Sequence, residues 1–166
     1  MRVLGIDPSS QSTGFGLIEF SENNTTVIAS GIIKLSRRIP FQNKLHEIKC
    51  AIENIIATYS PEDVAIENPF YAQNIKTAMT LGQVRGAILV AVAASKCALF
   101  EYSPLEIKKS VTGYGQAGKD QVNTMVRTLL NLKEEPLKED ESDALACAFC
   151  HLNTRIYQKN LEDAKV

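Results

Sequence analysis

The sequence predicts an α/β fold built on a five-stranded mixed sheet, with the first three strands antiparallel, two further strands parallel, and helices on both faces. Short apolar runs predict strands, longer segments with apolar residues three and four apart predict helices, and the two types alternate after residue 40. A chain of 166 residues is the size of one ordinary domain. We therefore expect residues 1–166 to form a single domain.

Three strands are predicted before residue 36. They span Arg2–Asp7, Gly14–Phe20 and Val27–Leu35. Each is rich in apolar and β-branched residues, and Ser, Asn and Gly fill the turns between them. Such turns join sequential strands most simply as an antiparallel meander.

Helices and strands alternate from residue 43 to residue 102. The predicted order is helix Asn43–Tyr59, strand Asp63–Glu67, helix Asn74–Lys96 and strand Ala98–Tyr102. Ser60-Pro61 ends the first of these helices, in which Leu and Ile recur at helical spacing. A strand–helix–strand order predicts parallel, right-handed pairing, so the complete sheet is expected to be mixed.

The last third of the chain is predicted to be mainly helical. Ser103-Pro104 begins a short helix to about Ser110, a loop with two glycines covers Thr112–Gly118, and Lys119–Leu132 has amphipathic helical spacing. An acidic linker over residues 133–140 leads to the final helix. Residues 157–166 are mostly polar, and we expect them to form a frayed tail.

Composition and charge narrow the class of protein. The apolar start, Met1–Ile6, is too short for a signal peptide, and the longest apolar run, Gly86–Ala94, is too short for a membrane span. These features favour a cytoplasmic protein with no membrane partner. The net charge is −1, but residues 68–133 hold eight basic and three acidic groups. The middle third is therefore the part suited to a polyanion.

The four cysteines, at positions 50, 97, 147 and 150, show no disulfide spacing, and we expect reduced thiols packed in the core. Cys147 to His151 spells the C-x-x-C-H pattern of covalent haem attachment. We reject haem because attachment needs an exported chain and because this segment has the pattern of an apolar helix. Zinc is equally unsupported, since only His46 and distant cysteines remain to complete four ligands.

Four acidic residues occupy positions that suit a metal-dependent site. Asp7 and Glu67 each end an apolar strand, at the edge of a sheet where sites commonly form. Asp140 and Asp143 are three apart where the final helix begins, so their side chains share one helix face. Each acid alone could be a turn residue, a cap or a partner of the helix dipole. The set of four favours a divalent cation site.

Several short motifs follow one another in a specific order. They are Gly5-Ile6-Asp7-Pro8, Thr13-Gly14-Phe15-Gly16, Ala65-Ile66-Glu67, Leu81-Gly82-Gln83-Val84-Arg85-Gly86, Gly113-Tyr114-Gly115, Lys119 and Asp143-Ala144-Leu145-Ala146. With these motifs, residues 2–152 resemble the RuvC family of crossover (Holliday) junction endodeoxyribonucleases, within the ribonuclease H-like superfamily. The resemblance implies a ribonuclease H-like fold.

The resemblance also implies a homodimer that binds a four-way DNA junction and makes paired, symmetric nicks in strands of like polarity, in DNA recombination and repair. It implies that Asp7, Glu67, Asp140 and Asp143 are catalytic, and that the RuvA and RuvB branch-migration proteins are partners. Two Mg²⁺ ions, for which Mn²⁺ can substitute, suit such hydrolysis and prefer carboxylate oxygens. We expect Asp7 to bridge both ions, with Glu67 on one ion and the remaining acids on the other.

Three further residues are expected to contact DNA. Lys108 and Lys119 match basic residues of the family near the scissile phosphate, whereas Lys109 is expected to face solvent. Phe70 and Tyr71 follow Glu67 in the chain, and family position favours Phe70 for stacking on unpaired bases. The alternative is that both rings cover the edge of the sheet.

Two short segments of the chain depart from the family pattern. Ser9 and Asn68-Pro69 depart from the pattern, which leaves the shape of two loops beside the acids open.

The segment Asp7 to Gly16 alone would fit actin-like ATPases and sugar kinases, but 166 residues cannot hold their second half. A non-catalytic junction binder would gain nothing from four acids facing phosphate. A ribonuclease acting on RNA–DNA hybrids would use the same acids, but the lysines and Phe70 favour the junction.

Overall fold

The computed structural model describes residues 1–9, 11–35, 38–68, 74–132 and 137–164. Its central sheet has five strands in the order β3-β2-β1-β4-β5. The strands are β1 Arg2–Pro8, β2 Ser12–Ser21, β3 Asn24–Lys34, β4 Asp63–Glu67 and β5 Ala98–Tyr102. The helices are α1 Phe41–Tyr59, α2 Ile75–Ala94, α3 Pro104–Thr112, α4 Lys119–Leu129 and α5 Glu139–Asp163.

The pairing of the strands confirms the predicted mixed sheet. β1 and β2 pair antiparallel, as do β2 and β3, while β4 pairs in parallel with β1 and with β5. In the β1–β4 pair, Ile6 lies opposite Ile66. Because these two strands run in the same direction, the next residues of both emerge at one edge of the sheet. This edge brings Asp7 beside Glu67.

Two apolar cores flank the sheet, one under α1 and α2 and the other under α3, α4 and α5. Successive residues of a strand point to opposite faces, so Val3 belongs to the second core and Leu4 to the first. Each fully buried aliphatic side chain contributes roughly 1.5–3 kcal/mol. Residues 144–148 of α5 are all fully buried. This unbroken run holds the acid-bearing helix firmly against the sheet.

Glycines allow α5 to lie directly on the strands. A Cβ at Gly5 would overlap the backbone oxygen of Ala144, and a Cβ at Gly14 would overlap the backbone oxygen of Asp140. Glycine weakens a strand, and it often marks such a close approach of another backbone. Gly14 is the register partner of Asp7. The first turn of α5 is therefore seated next to the end of β1.

One expectation from the sequence is wrong, and a second is confirmed only in part. α5 continues to Asp163, so residues 157–163 are helical rather than a frayed tail. Their side chains are exposed, but adding a residue to an existing helix is much easier than starting one. Cys147 and Cys150 are buried thiols as expected, whereas Cys50 and Cys97 are only half-buried. The latter two therefore contribute less to the core than the sequence suggested.

His151 is a fully buried member of the core. The Tyr102 hydroxyl lies 2.7 Å from its Nδ1, and Asp63 Oδ2 lies 2.9 Å from its Nε2. Because a carboxylate only accepts, Nε2 carries the proton and Nδ1 accepts from tyrosine. Burial lowers the pKa of His151, although Asp63 opposes this shift. The C-x-x-C-H segment thus forms part of the interior of α5, with both ring nitrogens engaged.

Helix α2 leaves part of its apolar surface exposed. Its buried residues are Val84, Ile88, Ala91 and Val92. By contrast, Ile75 is 81% exposed, Met79 63% and Val90 59%. Among the described helices, α2 is also long and apolar enough to cross a membrane, a property that core helices share. An apolar face this open marks an interaction surface.

Candidate active site

The ends of β1 and β4 bring the first two acids together. Asp7 is the penultimate residue of β1, and Glu67 is the last residue of β4. After burial, the charge of Glu67 is the largest influence that raises the pKa of Asp7, so the two carboxyl groups lie within electrostatic reach of each other. Two acids that interact in this way titrate as a coupled pair.

The first turn of α5 supplies the other two acids. Asp140 and Asp143 lie three residues apart on the helix, as expected. The Ser12 hydroxyl, at the start of β2, donates a hydrogen bond to Asp140 Oδ2. Ser30 on β3 donates to Glu141 Oε1 at 2.6 Å. These contacts connect α5 with the sheet, and sequence reasoning missed Ser12 because its partner lies 128 residues away.

All four acids line one cavity of about 340 Å³. The residues around it are Asp7, Ser9, Glu67, Pro104, Ile107, Lys108, Lys119, Val122, Asp140 and Asp143. The structure thus brings the four predicted acids together with both predicted lysines. Ser9, one of the departures from the family pattern, adds a hydroxyl to the same wall. The cavity is therefore a polar pocket with both acidic and basic groups.

Burial and mutual repulsion raise the pKa values of these acids. Burial, followed by the charge of Glu67, raises the pKa of Asp7 to about 8. Burial, followed by the charge of Asp143, raises the pKa of Glu67 to about 7. Burial also raises the pKa of Asp143, while Lys119 opposes the rise. Some of these carboxyl groups therefore keep their protons at neutral pH.

Lys108 on α3 and Lys119 at the start of α4 supply positive charge to the cavity. Both lower the pKa of Asp143, so both lie within electrostatic reach of it. Lys119 also pairs with Glu139, but these side chains are 68% and 58% exposed. Exposed pairs of this kind contribute about 0–1 kcal/mol, so Lys119 can exchange Glu139 for a phosphate at little cost. Lys109 is exposed and does not line this cavity, in agreement with the sequence prediction.

The expected aromatic residues, Phe70 and Tyr71, lie outside the described residues. The chain passes from Glu67 and Asn68 into this segment, and it then enters α2, where the Asn74 side chain caps the helix by accepting from Lys76 N at 2.8 Å. The last described residue before it, Asn68, directly follows Glu67, which lines the cavity. Base stacking by Phe70 stays a prediction.

The cavity's donor set fits divalent cations that prefer oxygen ligands, such as Mg²⁺ and Mn²⁺. Burial and mutual repulsion raise the pKa values of the acids, and positive charge here would oppose both effects, so binding would release their protons. Among the described residues, no three His, Cys, Asp or Glu side chains form a ready-made coordination group. The carboxylates would therefore have to rotate toward a bound ion. The chemistry of these residues therefore fits a divalent cation.

Without divalent cations, the protein should lose stability as pH rises from 6.5 to 8.5. The folded-state pKa values of Asp7 and Glu67, about 8 and about 7, exceed their ordinary values of 3.8 and 4.5. The folded state therefore binds more protons, and its advantage disappears as pH rises through this window. We expect a loss on the order of 2 kcal/mol, measured by urea unfolding in EDTA.

The matched control for this measurement is the double variant Asp7→Asn, Glu67→Gln, whose stability should change much less over the same range. Above pH 6.5, His151 stays neutral in the folded state because its pKa is lowered. Equal pH slopes for the variant and the wild type would contradict the assignment.

Comparisons with known proteins agree with this geometry. The family model described as crossover junction endodeoxyribonuclease RuvC matches residues 3–151. A curated relative of that name from Koribacter versatilis is 46% identical over 155 residues, covering 93% of this chain and 93% of the relative. Another, from Caldanaerobacter subterraneus subsp. tengcongensis, is 44% identical over 154 residues with the same coverage.

A solved structure extends the likeness to three dimensions. It contains RuvC of Thermus thermophilus in complex with a Holliday junction substrate, and it superposes with a TM-score of 0.88 at 30% sequence identity. The match covers 94% of this chain and 96% of that chain. The structural similarity therefore extends over nearly the whole length of both chains.

Proposed function

Because the chain belongs to the RuvC family of crossover junction endodeoxyribonucleases, we propose that it resolves four-way DNA junctions in recombination and repair. It does so by paired, symmetric nicks in strands of like polarity. The reaction is hydrolysis of a phosphodiester bond that depends on Mg²⁺, with Mn²⁺ as a substitute. The observation that carries this proposal is the single cavity that holds four acids and two lysines.

The residues of this chain would have different roles in such a reaction. Asp7, Glu67, Asp140 and Asp143 would hold two divalent cations. These ions would neutralise negative charge and activate a water molecule. Asp7 and Glu67 must first release their protons, which positive charge in the cavity favours. Ser12 holds the Asp140 carboxylate in place through its hydrogen bond. The result is a set of oxygen donors gathered in one cavity at the end of the sheet.

Lys108 and Lys119 are proposed to bind the non-bridging oxygens of the scissile phosphate. Both line the cavity, so a phosphate seated near the acids would lie between the negative and positive walls. Lysine provides a compact charge suited to a phosphate. The lysines would therefore orient the scissile bond, and they would also offset the repulsion between the DNA backbone and the acids.

The exposed apolar face of α2 is proposed to bind a second copy of the chain. Its most exposed residues, Ile75, Met79 and Val90, are of a type that stable homodimers bury. A two-fold dimer places two identical active sites on one junction, as paired symmetric cuts require. Cytoplasmic location is part of the same proposal, as is association with RuvA and RuvB, which family membership implies.

Placing charge on α2 should break the dimer. Met79→Glu combined with Val90→Glu would bury two uncompensated carboxylates at the interface, and each such group costs several kcal/mol. We expect a monomer by sedimentation velocity, with unchanged circular dichroism and loss of paired cutting. Leu105→Glu is a matched control on α3, since Leu105 is also exposed at 57%. A dimer that survives the α2 changes would place the interface elsewhere.

The proposed function is tested with a labelled mobile four-way junction, a linear duplex and an RNA–DNA hybrid, each in Mg²⁺ and in EDTA. We expect symmetric nicks in the junction only, and only with Mg²⁺. Tight junction binding with no cutting would make the protein a scaffold. Preferential cutting of the hybrid would make it a ribonuclease.

A further inference from the structure

A polar chain of contacts leads from the end of β4 to helix α2. Asn68 Nδ2 donates a hydrogen bond to Glu101 Oε2 on β5, at 3.1 Å. The other carboxylate oxygen, Glu101 Oε1, lies 2.5 Å from Arg85 Nη2 on α2. Asn68 directly follows the acid Glu67. Three side chains thus connect a residue adjacent to the cavity with a helix on the opposite face of the sheet.

The backbone explains why these groups meet. Asn68 N donates to Tyr102 O at 2.8 Å, which extends the β4–β5 ladder one residue beyond β4. Successive residues of a strand point to opposite faces. Glu67 and Tyr102 therefore face α5, whereas Asn68 and Glu101 face α2. Any movement of Asn68 would also move Glu67, because one peptide bond joins them.

We propose that Asn68, Glu101 and Arg85 are positioning residues that hold Glu67 in the geometry needed by the active site. This inference rests on the proposed function, which it deepens by one step. Because α2 carries the proposed dimer surface, the three residues would also connect dimer formation with the placement of Glu67.

Stability alone gives a poor reason for this arrangement. Glu101 is 44% exposed, and ion pairs with an exposed partner contribute about 0–1 kcal/mol. Arg85 Nε is buried without a hydrogen-bond partner among the described residues, and Arg85 Nη2 contacts Glu101 as a charge without hydrogen-bond geometry. Unpaired buried donors cost free energy. The contacts among Asn68, Glu101 and Arg85 stabilise the fold very little. Positioning of Glu67 therefore explains them better than stability does.

The test compares Asn68→Ala, Glu101→Ala and the double variant with the wild type. Four quantities are measured: the single-turnover rate of junction cleavage in Mg²⁺, the junction dissociation constant in EDTA, the melting temperature, and Mn²⁺ affinity of the DNA-free protein by calorimetry. The matched control is Glu19→Ala, which removes the Arg2–Glu19 ion pair of 2.8 Å on the same sheet, away from the acids.

We expect each single variant to lower the cleavage rate about tenfold and to weaken Mn²⁺ binding several-fold, because a small displacement of a ligand is costly. Junction affinity should stay within about twofold and the melting temperature within about 3 °C. The double variant should resemble the singles, because the residues act as one unit. The Glu19→Ala control should match the wild type.

Wild-type rates and Mn²⁺ affinities in both single variants would overturn the inference. A fall in rate that merely follows a fall in melting temperature would also overturn it, since that is a structural effect. If the wild type itself fails to cut, the proposed function fails, and Mn²⁺ binding to the DNA-free variants still tests the positioning role.

Discussion

Replacing Asp7 by Asn should lower junction cleavage about a thousandfold or more while junction binding persists. Burial is the largest cause of the raised pKa of Asp7, and the charges of Glu67, Asp143 and Asp140 all add to it, which places Asp7 at the electrostatic centre of the cavity. The amide keeps the shape of the side chain but removes the charge needed to hold divalent cations. Binding should be equal or tighter, because one negative charge facing the DNA backbone is lost.

Single-turnover cleavage and fluorescence anisotropy of a labelled junction, both at pH 8, measure these two effects. Asp120→Asn is the matched control, since Asp120 is an exposed acid beside Lys119 that does not line the cavity. Its cleavage rate should stay within about threefold of the wild type. In EDTA, Asp7→Asn should also be more stable than the wild type at this pH, because it removes a buried charge. Retained cleavage would exclude Asp7 from the catalytic set.

Replacing Gly14 by Ala should destabilise the fold and inactivate the site together. The added Cβ would overlap the backbone oxygen of Asp140, and a helix backbone cannot move aside as a flexible side chain can. Either β2 or the start of α5 must shift, and overpacking of this kind costs about 3 kcal/mol or more. The shift would carry Asp140 away from Asp7, the register partner of Gly14.

Urea unfolding and junction cleavage, both measured at 15 °C to keep the variant folded, report the two effects. We expect the cleavage rate to fall about a hundredfold in the folded fraction. Gly31→Ala on β3 is the control, because its Cβ would meet only the end of the Phe15 ring, at 3.0 Å. That ring can rotate, so the loss of stability should be about 1 kcal/mol. Similar losses of stability and of cleavage in Gly14→Ala and Gly31→Ala would show that a displaced α5 is not the cause of these losses.

Local patterns were sufficient to predict much of the fold. The bounds of β4 and β5 agree with expectation, because short apolar runs between a proline turn and a polar loop leave little choice. The mixed sheet also followed from the order of the elements. The end of α5 was wrong, since exposed polar residues 157–163 give no hydrophobic signal for helix.

The four acids could be identified before the fold was known, because each stands at an edge or a helix start that its own segment defines. The residues that contact these acids or lie beside them could not be identified in this way. Ser12 meets Asp140 only through a contact between distant elements. Lys119 likewise meets Glu139, the residue before Asp140, only where α4 approaches α5. The Asn68–Glu101–Arg85 contacts depend on strand register and on the packing of α2 over β5 in the same way. Contacts of this kind leave no periodic pattern in the amino-acid sequence.

The amino-acid sequence is sufficient for the class of fold, the family and the identity of the acids, because these depend on apolar periodicity and on residue type at element ends. Folding in three dimensions sets the chemistry of the cavity. Burial and the approach of the other acids raise the pKa of Asp7, and glycines in β1 and β2 allow α5 to come close enough for this. Electrostatic energies depend on distance and on exclusion of water, and both quantities exist only once distant segments have packed together.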